Sequence, residues 1–417
     1  MKSHKVLRES GMKSEKMNTK PTFIDILKIR DYFSIWIGKN ISYFGNGIHL
    51  IALIWFVFEL SGSALDVGVL MIVQTIPIIV FGMISGALAD KANKKYIIVF
   101  ADFGRAVLVF LLLLVTEVYQ IYLIAFCISI LRQLSSTSRL ALIPSIVGKD
   151  HLLVANSLYK VTSMMADVAG PAMGGIIVGV LGVQSAFIID AMTYIVSGGL
   201  ILTISYKKIQ GQSNAIRDLL LDVKNGLIFV WNASIIRFVL IIIALLMFSL
   251  GFINVLGIVY VKDVLLVGAE QFGILASSQS LGSFLAAVFI SSLIQKINRS
   301  TLLCLSIIAV GCAILLLGVC ESMLIAVISL FLAGIGMIII SILVTTIIQQ
   351  ESPEEKRGRT IGALMTITNS SLVVSMGLAG YLGDILGVQE VFLIVGVVIL
   401  LFSGMFWVAK SVWMKNF

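Results

Sequence analysis

Charged side chains are scarce in this chain. Only 12% of its 417 residues are Asp, Glu, Lys or Arg, whereas a soluble domain carries about 25%. Hydrophobic residues make up 59%, and the mean hydropathy is +1.06. So little charge cannot cover a soluble surface, so most of the chain must face lipid or other buried helices.

Cysteine and histidine are scarce too, and their positions exclude several kinds of site. The four cysteines lie inside apolar runs, as small buried hydrophobes do, and the three histidines are scattered: Cys127, Cys304, Cys312, Cys320, His4, His49 and His151. A disulfide framework, a zinc site and a histidine metal cluster are therefore not expected. The H-E-x-x-H and G-x-x-x-x-G-K-[ST] motifs are missing from the sequence, and no nucleophile–base pair can be read. We expect neither an enzyme nor a cofactor.

Twelve apolar runs are long enough to cross a membrane as helices, each needing roughly 20 residues. They predict an all-α integral membrane protein with spans at 33–59, 65–89, 96–116, 119–143, 153–182, 184–205, 235–261, 270–294, 300–320, 322–347, 359–386 and 388–410. The polar interval 206–234 divides them six and six and contains apolar residues at helical spacing, which predicts an amphipathic surface helix. The predicted parts are a tail at 1–32, a bundle at 33–205, this linker, a second bundle at 235–410 and a tail at 411–417.

Basic residues predict which side of the membrane each loop occupies. If the N-terminus is cytoplasmic, cytoplasmic segments hold 25 of the 30 Lys and Arg residues, Arg139 among them, and the outer loops hold one, Lys262. The positive-inside rule therefore predicts that both termini are cytoplasmic. The same rule explains the net charge of +8 without a nucleic-acid partner. The first apolar run has no signal-peptide cleavage pattern and is long enough to remain as a span.

A short charged hairpin between the second and third spans has a fainter copy in the second half. The segment Gly86–Lys95 is echoed 205 residues later by Ser291–Arg299, with Asn93 matching Asn298. The copy keeps its basic residues but has Gln295 where the first has Asp90. A loop that recurs in place indicates a duplicated transporter.

These features resemble the major facilitator superfamily, in which a charged loop follows the second helix. Further segments resemble its drug:proton antiporter branch, which includes macrolide and multidrug exporters: Ser42–Gly45, Ser61–Ala64, Ser138–Pro144, Ala155–Ser157, Gly170–Gly175, Ile189–Ala191 and Gln349–Arg359. The resemblance implies a monomeric transporter in the bacterial cell membrane. It also implies export of a small amphipathic substrate in exchange for protons, by alternating access of two six-helix bundles.

Seven Asp, Lys and Arg side chains fall in the cores of predicted spans, away from the span ends, and all are in the first six: Lys39, Asp102, Arg105, Arg132, Lys160, Asp167 and Asp190. Each costs about 2.5–3.5 kcal/mol at mid-bilayer unless it is paired or lines a wet path. We therefore place energy coupling in the first half, with Asp167, Arg132 and Asp190 as candidate proton-coupling residues. A structural reading stays open for each: Asp167 as a partner of Lys160, Arg132 as a fixed counter-charge, Asp190 in an ion pair.

Two further groups of residues are candidate moving parts. A gate on the cytoplasmic side is predicted from Gly86, Asp90, Lys91, Lys94, Lys95, Asp102, Arg105 and Arg359. Asp102 and Arg105 are spaced to share a helix face. Topology anchoring by positive charge is the alternative. A hinge in the fifth span is predicted from Gly170, Pro171, Gly174 and Gly175, with helix packing as its alternative.

A substrate pocket is predicted between the two bundles. Its candidate residues are aromatic or carry amides: Trp36, Asn40, Trp55, Phe248, Phe252, Asn254, Gln279 and Asn369. Two rival functions remain open. One is transport of a lipid-like or siderophore-like metabolite, and the other is a membrane sensor or scaffold without flux.

Overall fold

The computed structural model describes residues 22–206 and 234–413, apart from some side chains in these ranges. The helices are α1 Phe23–Leu27, α2 Arg30–Ser61, α3 Ala64–Lys91, α4 Lys94–Leu111, α5 Val118–Val147, α6 Leu152–Leu202, α7 Ser234–Val259, α8 Ala269–Lys296, α9 Arg299–Val319, α10 Met323–Glu351, α11 Glu354–Leu386 and α12 Val388–Trp413. Single 3₁₀ turns lie at Leu112–Leu114 and Lys149–His151, and a π-helical turn at Tyr260–Val264 extends α7. The predicted linker helix lies outside the described residues.

Helix α6 is long enough to cross a membrane twice. It has 51 residues and breaks at Gly182, whose φ of 83° and ψ of 165° are not helical. Eleven described helices qualify as membrane spans by length and composition. Because α6 supplies two limbs, at 152–181 and 183–202, the predicted twelve-span all-α membrane fold is confirmed.

The turns between helices use residues suited to each chain reversal. Ser63, Asn93 and Asn298 each accept a hydrogen bond from a backbone N–H in the first turn of α3, α4 and α9. Gly62 and Gly387 have φ of 65° and 89°, which only glycine adopts without strain. We call the two ends of the bundle the Gly62 end and the Asn93 end.

Residues 22–32, part of the predicted tail, are ordered into helix. Thr22 and Asp25 cap α1 reciprocally, and hydrogen bonds from Thr22 lower the pKa of the exposed Asp25 carboxyl. Ile26 is fully buried beside Tyr32, and Tyr32 donates a hydrogen bond to the Ala155 carbonyl at 2.8 Å. The first bundle therefore begins several residues earlier than hydropathy predicts.

Six spans pack together on each side of residues 207–233 in the chain. In the first half α2 lies along α6, and α5 packs on α3 and α4. In the second half α8 and α9 pack on α10, α9 packs on α12, and α7 packs on α11. The main contacts between halves pair α3 with α11 and the 152–181 limb with α8.

The halves meet closely at the Gly62 end. A methyl group built on Gly380 would lie 2.7 Å from the Cα of Leu65, and one on Gly175 would lie 2.9 Å from the Cα of Gly273. A methyl group built on Gly86 or Gly362, towards the Asn93 end, meets no described atom within 4 Å. The contact between α3 and α11 is therefore tight at one end and open at the other.

The predicted hinge residues serve close packing in this conformation. Methyl groups built on Gly170 and Gly174 would strike the backbone of Gly47 and Ile48 in α2. Of the described φ and ψ angles in α6, those of Gly182 are the non-helical ones, so the helix runs without a break through Pro171. The alternative of helix packing accounts for these glycines here, and their role as a hinge stays a prediction.

We expect Gly334→Ala to lower thermal stability and Gly199→Ala to leave it equal or raised. The Gly334 methyl group would lie 2.0 Å from the Gln279 carbonyl oxygen, whereas the Gly199 methyl group meets nothing within 4 Å. Overpacking costs about 1–3 kcal/mol, while alanine favours a helix over glycine by roughly 0.5–1 kcal/mol. The thermal stability of both variants is measured by heating the detergent-solubilised protein and following the loss of its monodisperse peak. Equal shifts in the two variants would show that α8 and α10 are not in close contact.

Candidate functional site

A carboxylate at the centre of the first half holds three spans together. Asp102 on α4 is fully buried and accepts from the guanidinium groups of Arg105 and Arg139. Ser135 on α5 and Ser197 on α6 also donate to it, at 3.1 and 2.8 Å. These five residues are the Asp102 cluster, and all belong to the first half. Two cations around one carboxylate leave the cluster with a net positive charge.

Arg139 is not in the cytoplasmic segment to which the count of basic residues assigned it. Helix α5 continues to Val147, so Arg139 lies two turns inside it and is only 3% exposed. Its side chain reaches Asp102 and donates to Ser197 at 2.8 Å. Arg139 lies inside the bundle because the buried Asp102 carboxylate is a partner for its guanidinium group there.

A second buried pair lies between α2 and the 183–202 limb. His49 Nδ1 is 3.0 Å from Asp190 Oδ2, with side-chain exposures of 9% and 0%. Gly45 makes room for it, since a methyl group there would lie 2.6 Å from Asp190 Oδ1. We call these two residues the Asp190 pair. Neither His49 Nδ1 nor either carboxylate oxygen of Asp190 has a hydrogen-bond partner among the described residues, so the pair is a close polar contact between two spans.

Tyr194 joins the Asp102 cluster to the region of the Asp190 pair. Its ring lies 4.2 Å from the Arg105 guanidinium carbon, a cation–π contact. Its hydroxyl donates to Asn46 Oδ1 on α2 at 2.5 Å. Asp190 precedes Tyr194 by one helical turn, so the two sites are neighbours on the 183–202 limb.

Lys39 is buried, and the hydrogen bonds and ring contacts that the structure describes for its ammonium involve no carboxylate. Its ammonium donates to the Tyr159 carbonyl at 3.0 Å and to Ser163 Oγ. It also lies 4.4 and 3.6 Å from the ring centroids of Tyr43 and Tyr159. Desolvated cation–π contacts contribute about 2 kcal/mol, which offsets part of the cost of burying this charge.

The structure separates the three predicted proton-coupling residues. Asp167 and Lys160 have exposed side chains on the 152–181 limb, Arg132 on α5 is half-buried, and Asp190 is fully buried. Asp167 and Asp190 therefore differ in burial, because the side chain of Asp167 lies on the protein surface and that of Asp190 is enclosed within the first half.

The predicted gate is described only in part. The side chains of Asp90, Lys91 and Arg359 lie outside the described part of the chain. Lys95 donates to the Ile204 carbonyl at 2.7 Å, which ties the start of α4 to the end of α6. Asp102 and Arg105 share a helix face as expected from their spacing and are bound within the first half.

Only some of the predicted pocket residues come together. Asn254 and Gln279 line an apolar cavity of about 150 Å³ to which both halves contribute, with Ile51 and Met71 on its other wall. The remaining candidates lie elsewhere. Phe248 and Phe252 stack 5.3 Å apart and line a separate cavity between α7, α11 and α12. Asn369 donates to the Met365 carbonyl of its own helix at 2.9 Å.

The tryptophans and Asn40 do not line the central cavity either. The ring centroid of Trp55 is 4.3 Å from the Lys262 ammonium, which crosses from the second half. The ring centroid of Trp36 is 6.0 Å from that of Phe33. Asn40 is buried with both amide atoms lacking a hydrogen-bond partner among the described residues. An unpartnered amide here is available to a bound molecule or water.

His49 is the residue that sequence reasoning missed. In the sequence it is one of three scattered histidines, but it alone falls inside the first apolar run. A histidine in a membrane span belongs with the other intramembrane ionisable groups. Its position four residues after Gly45 was the available signal, since a small residue one turn away makes space for a partner helix.

The comparisons with known proteins agree with the motif resemblance. The family profile of transmembrane secretion effectors matches residues 25–414. The multidrug efflux pump Tap of Mycolicibacterium fortuitum is 24% identical over 86% of this chain and 90% of its own length. Macrolide efflux protein A of Streptococcus pyogenes is 20% identical over 88% and 93%.

A solved structure shares the fold. The crystal structure of the nucleoside transporter NupG superimposes with a TM-score of 0.76, covering 90% of this chain and 98% of that one at 16% identity. At that identity the likeness shows the arrangement of helices alone. Since the family profile spans nearly all of the described residues, the chain belongs to the transmembrane secretion effector family of the major facilitator superfamily, and is a multi-pass membrane transporter and not an enzyme.

Proposed function

We propose that this transporter exports small amphipathic drugs, of macrolide-like or multidrug type, in exchange for protons. The observation that carries the proposal is the unequal chemistry of the halves. Buried ionisable groups cluster in the first half, and an apolar cavity with two amides lies between the halves. The relatives named for multidrug and macrolide efflux support the substrate class.

The cavity suits an apolar ligand with a few hydrogen-bonding groups. Leu50, Ile54 and Phe272 supply apolar wall, while Asn254 and Gln279 supply the amides. Ligand pockets of drug size enclose about 300–1,000 Å³, more than the 150 Å³ present here. A substrate of that size therefore requires the halves to move apart, as alternating access does.

In this proposal both termini are cytoplasmic, which places the Gly62 end outside. The tight contacts of Gly175 and Gly380 then seal the outer side, and the open surroundings of Gly86 and Gly362 face the cytoplasm. This is the conformation in which an exporter takes up its substrate. The gate of Asp90, Lys91, Lys94, Lys95 and Arg359 would close that side after loading.

Proton exchange falls to two carboxylates with different access. Asp167 is exposed on the limb that also packs on α8, so it can exchange protons with the open side. Asp190 is sealed beside His49, so in this proposal it is reached only when the helices around it move. Arg132, half-buried on α5, is the third proton-coupling residue in this proposal, and a fixed counter-charge is its alternative role.

The Asp102 cluster makes the first half move as one body. It bonds α4, α5 and the 183–202 limb through one buried carboxylate. Gating motion then passes between the halves and not through the first one. The predicted gate role of Asp102 and Arg105 becomes that of a fixed support beneath the Asp90 loop.

Expression of the protein should raise the inhibitory concentration of macrolides in a drug-sensitive host, and a protonophore should abolish the increase. The protonophore collapses the proton gradient that drives antiport. A parallel panel with a catecholate siderophore tests the metabolite alternative. Resistance that survives the protonophore contradicts proton coupling, and transport of neither class contradicts export.

Asp167→Asn should abolish proton-driven efflux in proteoliposomes while the protein remains folded. The amide cannot carry a proton, and the position is exposed, so packing is little affected. Asp150→Asn, an exposed carboxylate outside the spans, is the matched control and should transport normally. Unchanged pH-dependent transport in Asp167→Asn would remove this residue from the mechanism.

Asp102→Asn should destabilise the protein by about 3–5 kcal/mol, because it leaves two buried guanidinium groups without their carboxylate. The control is Asp66→Asn, whose carboxylate accepts from Tyr122 at 2.8 Å in the first turn of α3. Removing that charge costs about 0.3–1 kcal/mol. Thermal unfolding in detergent separates the two variants. If Asp102→Asn has normal stability but slow turnover, Asp102 acts in the cytoplasmic gate and is not a structural support.

A further inference from the structure

A carboxylate from the second half binds the first turn of a helix in the first half. Asp384, near the end of α11, accepts from the Ser63 hydroxyl at 2.7 Å and from the backbone N–H of Ala64 and Leu65 at 2.7 and 3.1 Å. Ser63 is the residue that caps α3. Three donors on one carboxylate satisfy backbone groups that a helix N-terminus leaves free.

The electrostatics of both helices favour this contact. A carboxylate at the C-terminus of its own helix lies against the negative end of the helix dipole, and at the N-terminus of another helix it lies against the positive end. Asp384 is two residues from the end of α11 and sits on the beginning of α3. The contact therefore removes an unfavourable placement and creates a favourable one.

The contact exists because the halves are together at this end. Gly380 lies one turn before Asp384 and packs against Leu65, the residue whose N–H donates to Asp384. Lys262 crosses nearby from the second half onto the rings of Trp55 and Phe58 of α2. Separation of α3 from α11 would break all three hydrogen bonds of Asp384 at once.

The other end of the same helix pair carries the same sequence spacing. Glycine and aspartate lie four residues apart at Gly86 and Asp90 near the end of α3, and at Gly380 and Asp384 near the end of α11. Since α3 and α11 run antiparallel, each end of the pair holds one carboxylate and one helix beginning.

We propose that Asp384 is the outer lock of the transporter and the reciprocal counterpart of the Asp90 gate. Asp384 holds α3 when the Gly62 end is closed, and Asp90 takes the equivalent place on α11 when the Asn93 end is closed. Alternating access closes one end of the α3–α11 pair while the other end opens, so one lock engages as the other releases. The inference rests on the alternating-access part of the proposed function.

Distances between spin labels test the lock directly. Leu114→Cys and Leu324→Cys, exposed at the Gly62 end of opposite halves, report its opening. Tyr96→Cys and Gln349→Cys report the Asn93 end. The four native cysteines are first replaced by serine or alanine. In Asp384→Ala the ratio of closed to open Gly62 ends should fall about tenfold, as expected for loss of charge-assisted hydrogen bonds.

Two further variants keep the test decisive. Asp66→Asn removes a charge from the same helix turn without touching the second half and should leave both distance distributions unchanged. Ser63→Ala removes one of the three donors and should shift the ratio in the same direction as Asp384→Ala, about threefold. Ser63→Ala therefore still tests the lock if Asp384→Ala does not fold.

Asp90→Ala should shift the distances in the opposite direction, towards a closed Gly62 end. It should also slow turnover more than it weakens substrate binding.

The outcomes separate this inference from the proposed function. Unchanged distances in Asp384→Ala and Ser63→Ala, in a protein with protonophore-sensitive efflux, overturn the lock alone. Shifted distances in a protein without any efflux support the lock and overturn drug export. An equal shift in Asp66→Asn also overturns the lock, because it would trace the effect to the charge at the start of α3.

Discussion

Neutralising charge inside a bundle that faces lipid is the constraint on which the rest of this structure depends. Asp102 meets it with two guanidinium groups and two hydroxyls drawn from three spans. These contacts fix the rotation of each helix about its own axis. Rotation by a few tens of degrees would separate the donors from Asp102 and leave a charge unpaired in hydrocarbon. Tyr194 extends the same constraint to α2 through Asn46. The orientation of the first-half helices thus follows from pairing a few charges.

Close backbone packing between helices is a prominent feature of the second half. Its α8 and α10 approach so closely at Gly282 and Gly334 that a methyl group on either would overlap a backbone carbonyl of the other helix. Such close backbone contact maximises van der Waals packing between membrane helices. Ser283 adds a hydrogen bond to the Gly334 carbonyl at 3.0 Å across the same contact. The buried Asp102 cluster is thus a feature of the first half, whereas close glycine packing occurs in both halves.

The sequence predicted most of the fold and less of the site, for physical reasons. Hydropathy located twelve spans and placed a boundary at residue 183, one position from the break at Gly182, because lipid imposes a fixed span length. The repeated Asn93 and Asn298 turned out to cap corresponding helices. The pairing of Asp102 with Arg105 followed from local spacing. Contacts of Asp102 with Ser197, or of His49 with Asp190, join residues far apart in the chain and depend on how helices rotate against one another. No local pattern encodes that rotation.

Gly174 and Gly175 are adjacent in the 152–181 limb but pack against different halves of the protein. Gly174 rests on Ile48 inside the first half, while Gly175 rests on Gly273 of the second. The first contact lies within one half, and the second crosses to the other half. A methyl group on either glycine would lie less than 3 Å from a backbone atom of its neighbour. The 152–181 limb therefore packs backbone to backbone against both halves, along two adjacent faces.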